Sequence, residues 1–143
     1  MFSKACEYGI RASIFIAEQS LLDRKVSLKD VAEAIESPSA YTSKILQRLS
    51  KSNIINSDKG PTGGFHINSI QRVQPIINIV FAIDGREVFN QCGLGLSKCS
   101  ATHPCPIHND YKAVRDLFQH VCSTKKVSDL YGTVNTGLAY LVG

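Results

Sequence analysis

Three cysteines and a histidine lie close together in the C-terminal half of the chain, as metal ligands often do. Their spacing is Cys92-x6-Cys99-x5-Cys105-x2-His108, with glycines and prolines between them. Thiolate and imidazole are the side chains that hold iron–sulfur clusters and zinc ions. Structural zinc sites more often contain tight Cys-x2-Cys pairs, which are absent here, so the wide spacing favours a cluster over zinc.

Two alternatives to this ligand set follow from the same residues. The three cysteines can be reduced thiols that bind nothing, or His103 can replace His108 as the imidazole ligand. We prefer His108 because it stands at the start of the next predicted helix, which would anchor it. The chain has five cysteines, an odd number for a disulfide framework. The other two, Cys6 and Cys122, are predicted to be small buried apolar side chains.

The composition is that of an ordinary globular chain with positive charge concentrated in its middle. The formal net charge is +4 over 143 residues, and no apolar run approaches the roughly 20 residues that span a bilayer. The N-terminus lacks the pattern of a signal peptide, so we expect a cytoplasmic protein with no membrane contact. A basic middle segment suits a polyanion such as DNA. Between residues 38 and 74 the bases Lys44, Arg48, Lys51, Lys59 and Arg72 face Asp58 alone.

The first 74 residues predict a winged helix-turn-helix. One helix is predicted over residues 4–19, a capping box at 27–30 begins a second, and a third runs from Pro38 to about Ser50. Two strand-like runs flank the glycine-rich turn at 60–64 and predict a slim basic hairpin, or wing, beside the third helix. The buried stripe of the third helix is predicted to be Tyr41, Ile45, Leu46 and Leu49.

The second half of the chain predicts a linker helix, a loop and a long helix. The apolar residues 75–83 are predicted as a helix capped by Gly85, and residues 90–108 as a loop. A helix over about 109–122 would carry an apolar face that has no partner inside so small a domain. We therefore expect this face to pack against a second copy of the chain. The face consists of Val114, Leu117, Phe118, Val121 and Cys122.

These elements give a mainly α fold class with a small β-hairpin wing, that is, a winged helix-turn-helix plus a long dimerisation helix. We predict a DNA-binding domain over residues 1–74, followed by the linker helix, cysteine loop and dimerisation helix over 75–125. Weak patterning predicts a partly flexible tail over 126–143.

Together these motifs resemble the Rrf2 family of bacterial transcription regulators over about residues 1–125. The resemblance is carried by SKACEYGIRA at 3–12, YTSKILQRL at 41–49, KGPTGGF at 59–65, IDG at 83–85 and the three-cysteine loop. It implies a dimer with crossing long helices whose iron–sulfur cluster lies close to the DNA-binding part.

The resemblance leaves the fourth cluster ligand open. One type of family member uses a histidine that aligns with His108, and another uses an acid in the first helix of the partner subunit, which aligns with Glu7. The choice between a two-iron and a four-iron cluster stays open with it. Some members carry a base-contacting Glu where this chain has Ser43, and Lys59 replaces a common wing Arg. The operator preference of the members with that Glu therefore does not transfer, and a Lys in place of Arg weakens bidentate or minor-groove contacts by the wing.

We expect a dimeric regulator that binds double-stranded operator DNA and whose affinity is controlled by a cluster in the 92–108 loop, sensing redox, nitric oxide or iron–sulfur status. Base contacts are predicted for Ser39, Thr42, Ser43 and Lys44 and phosphate contacts for Lys51 and Lys59. Further DNA contacts are predicted for Tyr41, Arg48, Gly60, Thr62 and Gly63.

Two other functions remain open. One is a regulator of the same fold that senses through thiols or a protein partner and binds no metal. The other is a zinc or redox protein whose winged helix binds protein. We expect neither an enzyme nor a small-molecule substrate, because the sequence offers no acid/base pair or activated nucleophile outside the cysteine loop.

Overall fold

The computed structural model describes residues 1–143 and confirms the mainly α fold with one β-hairpin. None of its helices combines the length and apolar character that crossing a bilayer requires. In chain order the elements are α1 (Lys4–Leu21), α2 (Leu28–Ala34), α3 (Ser39–Lys51), β1 (Asn56–Asp58), β2 (Gly64–His66), α4 (Ser69–Arg72), α5 (Ile77–Asp84), a 3₁₀ turn (Glu87–Phe89), α6 (His108–Thr124) and α7 (Val127–Asn135).

Helices α1 to α3 form the helix-turn-helix core, and their ends are fixed by local capping. The predicted capping box of α2 is present: the Asp30 N–H donates to Ser27 Oγ at 3.1 Å, and the Ser27 N–H donates to Asp30 Oδ2 at 2.9 Å. These bonds satisfy backbone groups that a helix start leaves free. The buried stripe of α3 is confirmed for Ile45, Leu46 and Leu49, whereas Tyr41 is 37% exposed.

The hairpin is antiparallel and is extended by one residue from before α2. Asn56 lies opposite His66 and Asp58 opposite Gly64. Val26 forms an isolated antiparallel β-bridge with Phe65 through two backbone hydrogen bonds of 2.7 and 3.1 Å. This bridge connects the wing to the segment that leads into α2, so the wing and the helix-turn-helix form one structural unit.

Gly9 allows α1 and α5 to pack in direct contact. A Cβ at Gly9 would come within 2.3 Å of Ile83 Cδ1. The glycine weakens α1 as an isolated helix, but its missing side chain is the space into which α5 fits.

The apolar face predicted for α6 is divided between two directions. Cys122 is fully buried and Phe118 packs against the core. The other three side chains are exposed: Val114 by 53%, Leu117 by 64% and Val121 by 42%. Since 3.6 residues make one turn, these two sets lie on different sides of the helix. The outward strip is free for a partner, and the inward set holds α6 to its own domain.

The prediction of a weakly structured tail differs from the structure, which has α7 over Val127–Asn135 packed against α1. Val127 is fully buried, and three further apolar side chains at helical spacing contact the core: Leu130, Tyr131 and Val134. Backbone bonds from the Val127 N–H to Gln74 O and from the Ile76 N–H to Lys125 O hold the start of the helix. These four apolar residues of α7 follow the i, i+3, i+4, i+7 spacing of a helix, which the sequence shows. The spacing was not assigned to a helix because the segment is short and contains Gly132.

We predict that Gly132→Ala stabilises the protein, because Gly132 lies in α7 without a positive φ and an added Cβ would meet nothing within 4 Å. The expected gain in the free energy of unfolding is about 0.5–1 kcal/mol, measured by urea denaturation. The matched control is Gly137→Ala, which should destabilise because Gly137 has φ +74°. A loss of stability in Gly132→Ala would contradict a helix with an open side at this position.

Candidate functional site

The exposed side of α3 and one face of the hairpin form a basic groove of about 840 Å³. Three of its lining side chains are bases, Lys44, Arg48 and Lys51, and none is an acid. None of the three bases takes part in an ion pair of the chain. Their charge is therefore available to an external anion. The groove is completed by Leu28, Ser43, Gln47, Ser50, Ser57 and Phe65.

The structure corrects one predicted DNA contact, Thr42. Its side chain is fully buried, and its hydroxyl donates to Pro38 O at 2.9 Å and contacts Ser37 Oγ. A Thr inside a helix commonly bonds the carbonyl four residues earlier, and here that bond turns it away from solvent. Ser39 and Lys44 are exposed, and Ser43 is half-buried at the groove.

Tyr41 lies at the edge of the exposed surface of α3. Its ring packs edge-on against Tyr8 of α1, with 5.7 Å between the ring centroids. One side of the ring is therefore held by the protein and the other faces solvent, a position compatible with the predicted contact to DNA.

The wing tip presents Lys59, Gly60 and Thr62 to solvent. Gly60 has φ +95°, which favours glycine, and a Cβ on Gly63 would come within 2.2 Å of Asp58 O. The two glycines thus let the chain turn tightly enough to keep the tip narrow. Lys59 makes no ion pair within the chain.

A carboxylate bridge pins the wing to the domain. Asp58 Oδ2 lies 2.7 Å from Lys25 Nζ and 2.9 Å from His66 Nε2. The hydrogen bond from Lys25, supported by the one from His66, lowers the pKa of Asp58. Sequence reasoning missed this bridge because Lys25 and Asp58 are far apart in the chain and meet only through the hairpin register.

The four predicted cysteine-loop ligands lie within one segment of the chain, and one pair of them is in direct contact. His108 Nδ1 is 3.4 Å from Cys99 Sγ, and the Cys105 thiol is near enough to Cys92 to contribute to the lowered pKa of Cys92. The backbone N–H groups of Leu94 and Leu96 bond the Cys92 sulfur and are the main cause of its lowered pKa. Cys92, Cys105 and His108 are each 8% exposed, and Cys99 is half-buried.

This donor set fits an iron–sulfur cluster in its chemistry. No three His, Cys, Asp or Glu side chains converge on one point as the ligands of a single ion do. Thiolate and imidazole are both known ligands of two-iron clusters, and thiolates also hold four-iron clusters, so the donor set is chemically suited to either type. Lowered pKa values and N–H donors at sulfur are also features of thiolate ligands.

The two other candidate ligands lie outside this set of four. His103 is exposed. Glu7 lies on α1, where its carboxylate pairs with Lys4 Nζ at 3.1 Å. No ion pair or side-chain hydrogen bond of the chain joins Glu7 to the four loop donors, and the predicted role for Glu7 is that of a ligand from a second copy.

Arg115 is part of the loop site although sequence reasoning did not identify it. The side chain is 7% exposed, and its Nη1 donates to Gln91 O at 2.6 Å and to Cys99 Sγ at 3.3 Å. One signal existed in the sequence: Arg115 falls on the inward face of α6, three residues before Phe118 and seven before Cys122.

The remaining cysteines, Cys6 and Cys122, are fully buried as predicted. Burial raises the pKa of both thiols, and a nearby carboxylate, Asp84, raises that of Cys6 further. Both thiols are therefore protonated and fully shielded from solvent, whereas the pKa of Cys92 is lowered.

Aromatic packing connects the cysteine loop to the helix-turn-helix. Phe89, just before the loop, is 3% exposed and contacts Phe81 of α5 and Phe118 of α6, with ring centroids 5.9 and 5.5 Å away. From the end of α5, Ile83 O accepts a hydrogen bond of 3.4 Å from Arg48 Nη1 of α3. The loop, α5 and the basic groove thus form one continuous set of contacts.

Comparisons with known proteins agree with this architecture. The Rrf2 family model, described as "Iron-dependent Transcriptional regulator", matches residues 2–133. A putative HTH-type transcriptional regulator of Aquifex aeolicus is 26% identical over 91% of this chain and 90% of its own length. The HTH-type transcriptional regulator IscR of Photorhabdus laumondii is 23% identical over 86% of this chain and 74% of its own length.

Solved structures show the same fold. CymR, the global cysteine regulator of B. subtilis, matches with a TM-score of 0.74 at 17% identity, covering 92% of this chain and 96% of that protein. IscR of T. potens matches with a TM-score of 0.73 at 17% identity, covering 97% and 91%, respectively.

We predict that Asp58→Asn loosens the wing at neutral pH, because the bridge to Lys25 and His66 loses its charge. Since folding lowers the pKa of Asp58 below its ordinary value of 3.8, the bridge is fully present above that value and is lost as pH falls through the lowered pKa. Hydrogen exchange of the Phe65 amide, bonded to Val26 O, should be faster in the variant at pH 7. Equal exchange in both proteins at pH 7 would contradict this role.

Proposed function

The chain belongs to the Rrf2 family of transcriptional regulators, and on this premise we propose that it is a dimer whose affinity for operator DNA is set by an iron–sulfur cluster in the 92–108 loop. Members of this family regulate transcription and are not enzymes. The observation that carries the cluster proposal is the gathering of three cysteines and His108 in one loop, with Cys99 Sγ 3.4 Å from His108 Nδ1 at the start of a helix that packs on α5. Its place of action is the bacterial cytoplasm, where the DNA is.

DNA is bound by the basic groove and the wing. Ser39, Ser43 and Lys44 lie toward the start of α3, the end of a recognition helix that contacts base edges. Arg48, Lys51 and Lys59 then contact phosphates, since they are exposed and free of internal ion pairs. Tyr41 and the backbone at Gly60, Thr62 and Gly63 complete the surface.

The second copy of the chain covers the outward strip of α6, which consists of Val114, Leu117 and Val121. Three large apolar side chains in a row on an exposed helix are favourable only when they pack against something. A twofold dimer buries the same strip from both copies. It also presents two recognition helices to half-sites about 34 Å apart, as dimeric helix-turn-helix proteins do.

Cys92, Cys99 and Cys105 hold the cluster, with His108 or the Glu7 carboxylate of a second copy as fourth ligand. When bound, the cluster supplies a redox-active group that is sensitive to oxidants, nitric oxide and iron supply. The four residues, once fixed as ligands, hold the loop against Phe89 and α6. Release of these ligands loosens the packing of Phe89 on α5, and α5 in turn contacts Arg48 of the basic groove. A shift of about 1.4 kcal/mol between the two arrangements changes DNA affinity tenfold.

A second candidate is a metal-independent thiol sensor of the same fold. The observation that favours it is the half-buried Cys99 beside the Arg115 guanidinium, an environment that activates thiols toward oxidants. Among solved structures of the same fold is an oxidised form of Staphylococcus aureus CymR. A thiol sensor would bind DNA equally well before and after removal of iron, whereas the cluster regulator would not.

We predict that Lys59→Ala weakens binding to every duplex by a similar factor, because Lys59 contacts phosphate rather than bases. The slope of log affinity against log salt concentration should fall by about 1, as expected for one lost phosphate contact. Fluorescence anisotropy with two unrelated duplexes measures both quantities. Lys126→Ala, an exposed lysine at the start of α7, should change neither. A loss confined to one operator would contradict the phosphate role.

We predict that anaerobically purified protein contains iron with matching sulfide and a broad visible absorption band, and that Cys99→Ala loses both. Cys122→Ala is the matched control, because Cys122 is buried in the core and should keep the cluster. The measurement is elemental and sulfide analysis with the absorption spectrum. Protein that takes up no iron under cluster-loading conditions, or that holds stoichiometric zinc without sulfide, would rule out the cluster and leave DNA binding standing.

A further inference from the structure

Arg115 is a buried positive charge that no carboxylate of the chain neutralises. It is 7% exposed and takes part in none of the ion pairs. Its Nη1 bonds Gln91 O and Cys99 Sγ, and its Nε is buried without any hydrogen-bond partner. The acid nearest in sequence, Asp116, is exposed and pairs with Lys112 instead.

Such an arrangement is strongly unfavourable unless an anion lies beside it. Transfer of a charged group from water into a protein interior costs far more than one hydrogen bond to a neutral carbonyl returns. A buried lysine or histidine can escape this cost by losing its proton, but a guanidinium remains charged in proteins. A negative group within reach of Arg115 would offset this cost.

The contacts of Arg115 identify where that negative group would lie. Apart from the neutral carbonyl of Gln91, its side chain contacts a sulfur atom, that of Cys99. A cluster with three thiolate ligands carries a net negative charge, whether it has two or four irons. One-electron reduction increases that negative charge by one unit. A fixed positive charge beside it stabilises the reduced form more than the oxidised form, and net charge is one of the factors that set cluster potentials.

We propose that Arg115 is the counter-charge of the cluster and raises its reduction potential through Cys99. This inference rests on the proposed cluster in the 92–108 loop. Arg115 is a positioning residue rather than a ligand: one nitrogen, Nη1, holds both the loop entry at Gln91 and the sulfur of Cys99. Its charge sets the potential at which the loop changes state, and its two bonds keep that sulfur against α6.

The experiment compares Arg115→Gln, which keeps a hydrogen-bond donor but no charge, with Arg115→Lys, which keeps the charge. Lys112→Gln is the matched control, since Lys112 lies one turn earlier on α6 but is exposed. Each full-length protein is loaded with cluster anaerobically and titrated with dithionite, with the visible absorption recorded against potential. Circular dichroism and thermal unfolding check the fold of each variant.

At a fixed potential, Arg115→Gln should lower the ratio of reduced to oxidised cluster about tenfold, a shift of about 59 mV to more negative potential for one electron. Arg115→Lys and Lys112→Gln should stay close to the unmodified protein. Loss of the cluster in Arg115→Gln with retention in Arg115→Lys would also support the role of charge.

Several outcomes would overturn the proposal. An unchanged potential in Arg115→Gln with intact cluster would do so, as would equal shifts in both Arg115 variants. Loss of cluster or of fold in both variants would assign Arg115 a purely structural role. Weaker dimerisation of Arg115→Gln at unchanged potential would identify a carboxylate of a second copy as the true partner. If the unmodified protein assembles no cluster, the proposed function itself fails and this inference fails with it.

Discussion

Helix α1 is buried along most of its length, and small side chains on it decide how closely its neighbours approach. Ala12, Ser13 and Ala17 are fully buried, and Gly9 faces the end of Ile83. Helices α2, α3, α5 and α7 and strand β2 all pack against this one helix. A chain of this size has room for one core, so the groove, the wing and the base of the cysteine loop take their positions from a shared support. Bulk added to α1 would displace several of them together.

Helix α6 has three different surfaces. Its first residue, His108, belongs to the cysteine loop, and its inward side holds Arg115 and Phe118 against the domain. The outward strip at Val114, Leu117 and Val121 faces solvent. In the proposed dimer, a stiff helix that touches the loop at one end and the second copy along one side would convert a local change at sulfur into a change between subunits. The bistable element in this proposal is the loop, while α6 is the rigid part that transmits its state.

The parts predicted from sequence are those fixed by local rules, and the parts missed depend on contacts between distant residues. The capping box of α2 and the stripe of α3 need only neighbouring residues, so their pattern was sufficient. The bridge from Asp58 to Lys25 and the burial of Arg115 exist only once the hairpin and α6 are in place. Thr42 was misplaced because composition marks it as polar, whereas its hydroxyl is satisfied by the backbone of its own helix. Helix α7 was missed because Gly132 and its shortness made a correct apolar pattern look weak.

The burial of Cys6 and Cys122 determines which cysteines of this protein can react with oxidants. Thiolates rather than thiols react with oxidants, so raised pKa values and full burial make these two sulfurs inert. In the loop, by contrast, Cys92 has a lowered pKa and Cys99 is half-buried rather than fully enclosed. Oxidation that begins at the loop sulfurs would therefore leave the helix packing intact. Chemical change at the loop is thus separated from damage to the helical core. After the loop sulfurs are reduced again, the loop can pack against an unchanged domain.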